Sequence, residues 1–328
     1  MQKEININQY IDGILESNIS YISKAITLVE STNLKHQEKA QEIINSILKY
    51  SGNSIRIGIT GVPGVGKSTF IESFGLEIVN QNNKLAVLAV DPSSQISKGS
   101  ILGDKTRMEK LSIHPSAFIR PSPSSGSLGG ITKKTRESII ICEAAGYNYI
   151  LVETVGVGQS ETLVHELTDF FLLLMLAGAG DELQGIKRGI MEMADAIIIT
   201  KADGANFEKA KLARAEYANA LHLFPPTISN WIPEAHVCSS VENKGINEIV
   251  AMIDKYKNHT TINNYFNLKR EQQNKQWFHQ AINDKIIENF YANELVKNQI
   301  NQFESLVEKN QINPYEAIKL IFNDIIKK

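Results

Sequence analysis

The sequence predicts an α/β fold: a mostly parallel sheet flanked by helices, with helical extensions at both ends of the chain. Three observations carry this expectation. Short β-rich runs at residues 55–60, 85–90, 117–120, 149–153, 170–176 and 196–200 alternate with helical stretches, as strands joined by crossover helices do. A glycine-rich phosphate-binding signature lies between the first run and a helical pattern at 69–79. Apolar residues recur near every 3.6 positions both before residue 50 and after about residue 261.

Taken in order, residues 1–50 read as a helical extension. Ile11, Ile14, Leu15, Ile22, Ile26 and Val29 keep helical spacing, and no Pro interrupts them. Ser51, Gly52 and Asn53 break the pattern. Residues 51–260 then form the domain that carries the strands. Its most apolar run, 170–180, is bounded by Asp169 and Asp181. That run is too short for a bilayer, which needs about 20 residues, and reads as a strand buried on both faces. Residues 237–239 give a weaker seventh strand. The Ser/Pro/Gly-rich stretch 121–130 is too long for a turn and is a candidate functional loop. From 261 to 328 the chain turns rich in Asn, Gln and Lys, with Trp277, Ile282, Ile286, Phe290, Leu295, Ile300, Phe303 and Val307 at helical spacing.

Composition excludes several classes. Apolar residues at 42% and charged residues at 21% describe a globular chain, not a disordered one. Lys plus Arg (34) nearly balances Asp plus Glu (36), so no basic excess points to nucleic acid. Cys142 and Cys238 stand apart, without a CxxC or Cys/His cluster, which argues against disulfides and zinc and fits a reducing cytoplasm. Residues 1–10 are polar and lack the order of a secretory signal.

Gly61, Val62, Pro63, Gly64, Val65, Gly66, Lys67 and Ser68 match G-x-x-x-x-G-K-[ST] at every fixed position, and Thr69 continues into the helix. The glycines let backbone N–H groups turn toward phosphate oxygens, and the helix N-terminus adds a favourable dipole. Lys67 is expected on the β- and γ-phosphates and Ser68 on Mg²⁺. The run 149–153 ends in Glu153, and Gly156 follows in an E-x-x-G pattern where many GTPases have D-x-x-G. The Gly156 amide is a candidate γ-phosphate sensor. Glu153 is a candidate for Mg²⁺ through a water, because Mg²⁺ keeps several. Val157 occupies the place of a water-positioning glutamine, and Gln159 is the nearest substitute. Asp91, ending the second run, and Asp104, in the loop after it, are further acidic candidates.

Base choice is read from Thr200, Lys201, Ala202 and Asp203, a strand end reading T-K-x-D where GTPases have N-K-x-D. The Asp203 carboxylate can accept from guanine N1–H and N2–H₂, a donor pair adenine does not offer. The Lys201 stem is expected to pack over the base. Ser239, Ser240 and Val241 lie where a GTPase places a backbone contact to guanine O6.

Together these segments resemble the methylmalonyl-CoA mutase-associated GTPases, the MeaB-like family of SIMIBI-class P-loop proteins. The resemblance rests on residues 22–31, 61–69, 91–108, 124–131, 152–161 and 179–189 and covers roughly 20–250. It implies a GTP hydrolase, binding GTP or GDP with Mg²⁺, that acts as chaperone of an adenosylcobalamin-dependent acyl-CoA mutase. It implies a homodimer whose helical C-terminal segment is a dimerisation arm. Lys67 would contact phosphate, and Ser68, Asp91, Asp104 and Glu153 would line the metal and the attacking water. Residues 179–189 would be a partner-responsive loop bringing Gln184 and Lys187 toward the site. Two rivals stand beside this reading. One is an ATP-dependent kinase of an arginine/ornithine transport system. The other is a metallochaperone GTPase, which the seven unclustered His do not favour.

Overall fold

A computed structural model describes residues 5–90, 108–120, 128–154, 160–178 and 187–326. The chain divides into two compact units, Met1–Gln273 and Asn274–Lys328.

The first unit is built on a parallel sheet of β1 (Ile55–Gly61), β2 (Leu85–Val90), β3 (Ala117–Arg120), β4 (Tyr149–Thr154), β5 (Phe170–Met175), β6 (Ala196–Ile199) and β7 (Glu234–Val237). The order across the sheet is β3-β2-β4-β1-β5-β6-β7. β1 is central, with β4 on one side and β5 on the other. Six strands fall within one residue of their expected bounds. The seventh requires a correction: it spans 234–237, not 237–239. It is an edge strand, half-buried throughout, so its Glu and His residues give no apolar run to read. Ser239 instead makes an isolated antiparallel bridge to Lys244.

On one face, Ile55, Ile57, Ile59, Tyr149 and Leu151 pack with Phe70, Ile71 and Phe74 of the helix Lys67–Asn80 and with Ile249, Ile253 and Tyr256 of the helix Ile246–Ile262. On the other face, the helix Ser160–Leu167 lies close against β1. A Cβ at Gly58 would come within 2.8 Å of Val164 and Phe171. The three N-terminal helices, Ile7–Leu15, Ile19–Glu30 and Leu34–Ile47, each start at an Asn cap (Asn6, Asn18, Asn33) whose side chain accepts a backbone N–H. They bury Ile14, Ile22, Ile26, Ile43 and Ile47 and pack on the helix Leu128–Ala144, where Gln41 donates to Glu137 at 2.6 Å.

The foot of the sheet, where β1 and β5 begin, holds a buried ion network. Arg56 grips Glu143 through two bonds of 2.9 and 3.0 Å, and Arg270 grips Asp169 through two of 2.9 and 2.6 Å. Arg270 also donates to the carbonyls of Gly52 (2.5 Å) and Ser54 (2.7 Å). Burial alone would raise both carboxyls. The Arg56 and Arg270 charges and hydrogen bonds outweigh it and hold Glu143 and Asp169 below their ordinary range.

In the second unit, Phe290 stacks on Phe322 with centroids 5.1 Å apart, and Val296, Ala317 and Ile321 are buried. Phe278, Ile282, Ile286, Ile287, Tyr291 and Tyr315 are exposed. Among the described residues, no helix is long and apolar enough to cross a membrane.

Candidate functional site

The site forms at the C-terminal end of β1. Gly61 closes the strand, and a Cβ there would stand 2.6 Å from the Leu174 carbonyl, so only glycine allows β5 to approach so closely. Gly64 (φ +75°) and Gly66 (φ +88°) take left-handed backbone, which bends residues 62–66 into a loop and caps the helix Lys67–Asn80. Val65 anchors this loop in the core at 1% exposure. Ser68 lies half-buried in the first helical turn, and Thr69 is exposed. Lys67 Nζ donates to the Gly61 carbonyl at 3.1 Å. The amide-lined helix start and the lysine make an anion site suited to phosphate.

Glu153 stands one strand away on β4, in register with Ile59 of β1 and Ala89 of β2, and is buried at 4% exposure. Strand alternation puts it on the face of Leu151 and Tyr149, the face covered by the phosphate-loop helix. Next to it, Thr154 Oγ1 donates to Thr60 Oγ1 at 3.0 Å on the opposite face. Asp91, Asp104, Gly156, Gln159 and Gln184 lie outside the described residues. Lys187 opens the helix Lys187–Met193, and its side chain likewise lies outside them.

The base-reading residues come together at the ends of β6 and β7. Lys201 adopts φ +55°, unusual for a residue with a side chain, and its Nζ donates to the Gly64 carbonyl at 2.8 Å. Asp203 Oδ2 accepts from Ser239 Oγ at 3.0 Å, and that hydroxyl accepts the Glu242 N–H at 3.1 Å. Ser239 is fully buried, Ser240 is half-buried and Val241 is exposed. Thr200, which stands where the motif has Asn, contacts the phosphate loop: its hydroxyl donates to the Val65 carbonyl at 2.8 Å. Burial pushes the Cys238 thiol up to about 12, so it is an inert part of this wall.

Sequence reasoning missed Ser73, whose hydroxyl donates to the Ser240 carbonyl at 2.8 Å, and the side-chain part played by Ser239. No local signal marks either, because each contact joins residues far apart in the chain.

The family model described as methylmalonyl Co-A mutase-associated GTPase MeaB matches residues 22–295. The chain belongs to this family. It is a GTPase, with a phosphate loop and a guanine nucleotide as ligand. Similar proteins include the Probable GTPase Rv1496 of Mycobacterium tuberculosis (strain ATCC 25618 / H37Rv), 46% identical over 87% of this chain and 85% of that protein. The GTPase ArgK of Escherichia coli (strain K12) is 44% identical over 90% of this chain and 89% of its own. The mitochondrial methylmalonic aciduria type A homolog of Mus musculus is 42% identical over 92% of this chain and 75% of its own. Among solved structures, that of an LAO/AO transport system kinase superposes with a TM-score of 0.77 at 35% identity, covering 99% of this chain and 100% of that one.

Proposed function

We propose that GTP hydrolysis by this chain gates cofactor loading into, and protection of, an adenosylcobalamin-dependent methylmalonyl-CoA or related acyl-CoA mutase. The match to a mutase-associated family over residues 22–295 is the observation that carries this reading. Its setting is the cytoplasm, and its form a homodimer. The apolar residues left exposed on the second unit, Phe278, Ile286 and Tyr291 among them, support a face that a second copy covers.

In the proposed site, the amides of residues 61–69 and Lys67 bind the phosphates, and Asp203 selects guanine. Ser239 holds Asp203 in place, the Lys201 stem covers the base, and Val241 offers an amide to O6. Ser68 at the helix start and Glu153 at a buried strand end one strand away fit a divalent cation, with Asp91 and Asp104 as further oxygen donors. Bound Mg²⁺ would supply charge neutralisation on the phosphates. Lys67 and the loop amides stabilise the charge that develops as water attacks the γ-phosphate in line. Gly156 reports the γ-phosphate, and Gln184 and Lys187 join when the mutase docks.

The test is the ratio of GTPase rates with and without an acyl-CoA mutase. The wild-type chain is expected to be stimulated, and Lys187→Ala to show a smaller ratio. A mutase that leaves the wild-type rate unchanged overturns the reading. An unaltered ratio in Lys187→Ala removes that residue alone. The likeness to the 35% identical transport system kinase supports a second reading, phosphoryl transfer to a component of a transport system. That reaction would draw on ATP, which the Asp203 site disfavours, and competition between ADP and GDP decides it.

A further inference from the structure

Two hydroxyls cross between the phosphate-binding and base-binding halves of the site. Thr200, at the end of β6 and one residue before the base-covering Lys201, donates to the Val65 carbonyl in the phosphate loop. Ser73, in the phosphate-loop helix, donates to the Ser240 carbonyl in the base loop. Each half therefore holds one peptide group of the other.

The consequence follows from peptide geometry. A trans peptide is planar, with its C=O and N–H on opposite sides. Fixing the Val65 carbonyl on Thr200 thus aims the Gly66 N–H the other way, off β6. The peptide 65–66 joins the buried Val65 to Gly66, whose left-handed backbone leaves one side of the peptide free to turn. Thr200 supplies the restraint. It is buried at 3% exposure, and its branched side chain has few rotamers to lose. In the same way, Ser73 on the Ser240 carbonyl aims the Val241 N–H away from the helix. On the other side of that peptide Ser239 is fixed by its bonds to Asp203 and to the Glu242 amide.

We propose that Thr200 and Ser73 are positioning residues that latch the two halves to each other, Thr200 orienting the Gly66 amide for the β-phosphate and Ser73 orienting the Val241 amide for guanine O6. This rests on the base-loop assignment made above. Both halves are then preorganised before the nucleotide arrives, so less ordering cost falls on binding.

Equilibrium binding of three probes separates the two latches. GDP engages both halves, GMP lacks the β-phosphate, and 2-aminopurine riboside diphosphate lacks O6 together with the N1–H. Thr200→Val keeps the shape and removes the hydroxyl. It is expected to weaken GDP about 5–10-fold, the worth of one neutral hydrogen bond, while GMP moves less than about 2-fold. Thr200→Ser, which restores the donor, is expected to bind GDP within about 2-fold of wild type. Ser73→Ala is expected to weaken GDP about 3–10-fold and 2-aminopurine riboside diphosphate less than about 2-fold. Equal losses for all three probes, or none, overturn the latch, as does a failure of Thr200→Ser to rescue. A wild-type protein that binds GDP and 2-aminopurine riboside diphosphate equally overturns the base-loop assignment and the Ser73 latch with it. The Thr200 comparison of GDP with GMP does not depend on O6.

Discussion

Asp203→Asn is the sharpest probe of base recognition. In the fold, Oδ2 of Asp203 already accepts the Ser239 hydroxyl at 3.0 Å, so the carboxylate is held in one orientation. Both of its oxygens remain acceptors toward the base edge. An amide of the same shape turns one acceptor into a donor whichever way it sits. Against guanine, one hydrogen bond to a charged group is lost, about 1.5–3 kcal/mol, and two donors then face each other, leaving a polar group unsatisfied at about 1–3 kcal/mol. The sum corresponds to roughly 10²–10⁴-fold weaker GDP. Xanthine carries a carbonyl at C2, so the new amide N–H₂ finds an acceptor and XDP should overtake GDP. Displacement of a fluorescent guanine nucleotide by GDP, XDP and ADP measures all three affinities. Unchanged GDP affinity in Asp203→Asn, or equal displacement of the wild-type complex by ADP and GDP, refutes the assignment.

Lys67→Ala should lower GTP hydrolysis by at least about 10²-fold with an unchanged melting temperature; near wild-type turnover would remove Lys67 from the site. Arg270→Met leaves Asp169 buried without its partner and should cost about 3–5 kcal/mol by urea unfolding, and a loss under about 1 kcal/mol would show the network to be idle. Because folding lowers the carboxyls of Glu143 and Asp169, their contribution is full above the ordinary carboxylate range near pH 4 and drains as pH falls through their folded values. Stability measured from pH 7 down to pH 3 should therefore drop more steeply in wild type than in Arg270→Met. Truncation after Gln273, which keeps Arg270, should give a monomer that still binds GDP. Persistent dimers by light scattering would place the interface elsewhere, whereas a cut near 260 removes Arg270 and should unfold the domain.

Buried strands and the phosphate loop were legible because their signals are local. Runs such as 85–90 and 170–175 are apolar on both faces, and the glycines of 61–66 are demanded by backbone geometry within six residues. β7 was misplaced because an edge strand needs no such run. The latch residues were invisible for a different reason. A serine at 73 reads as a polar helix position, and only the fold brings it to a carbonyl 167 residues away. Likewise, no local pattern marks Arg56, Glu143, Asp169 and Arg270 as partners. Their pairing depends on four elements meeting at one end of the sheet.

That meeting has a consequence for how the protein is made. Asp169 immediately precedes β5, the strand next to β1, yet the guanidinium that pairs with it lies 101 residues later. At about 5–20 residues per second of synthesis, the nascent sheet waits roughly 5–20 s for Arg270. During that interval only the Arg56 N–H and the Arg56 charge, itself gripped by Glu143, offset the burial of the carboxylate, which lacks its main partner. The foot of the sheet should therefore stay open on the ribosome until Arg270 emerges. A chain stalled before residue 270 should be cut by protease near β5, and one released a few turns later should resist.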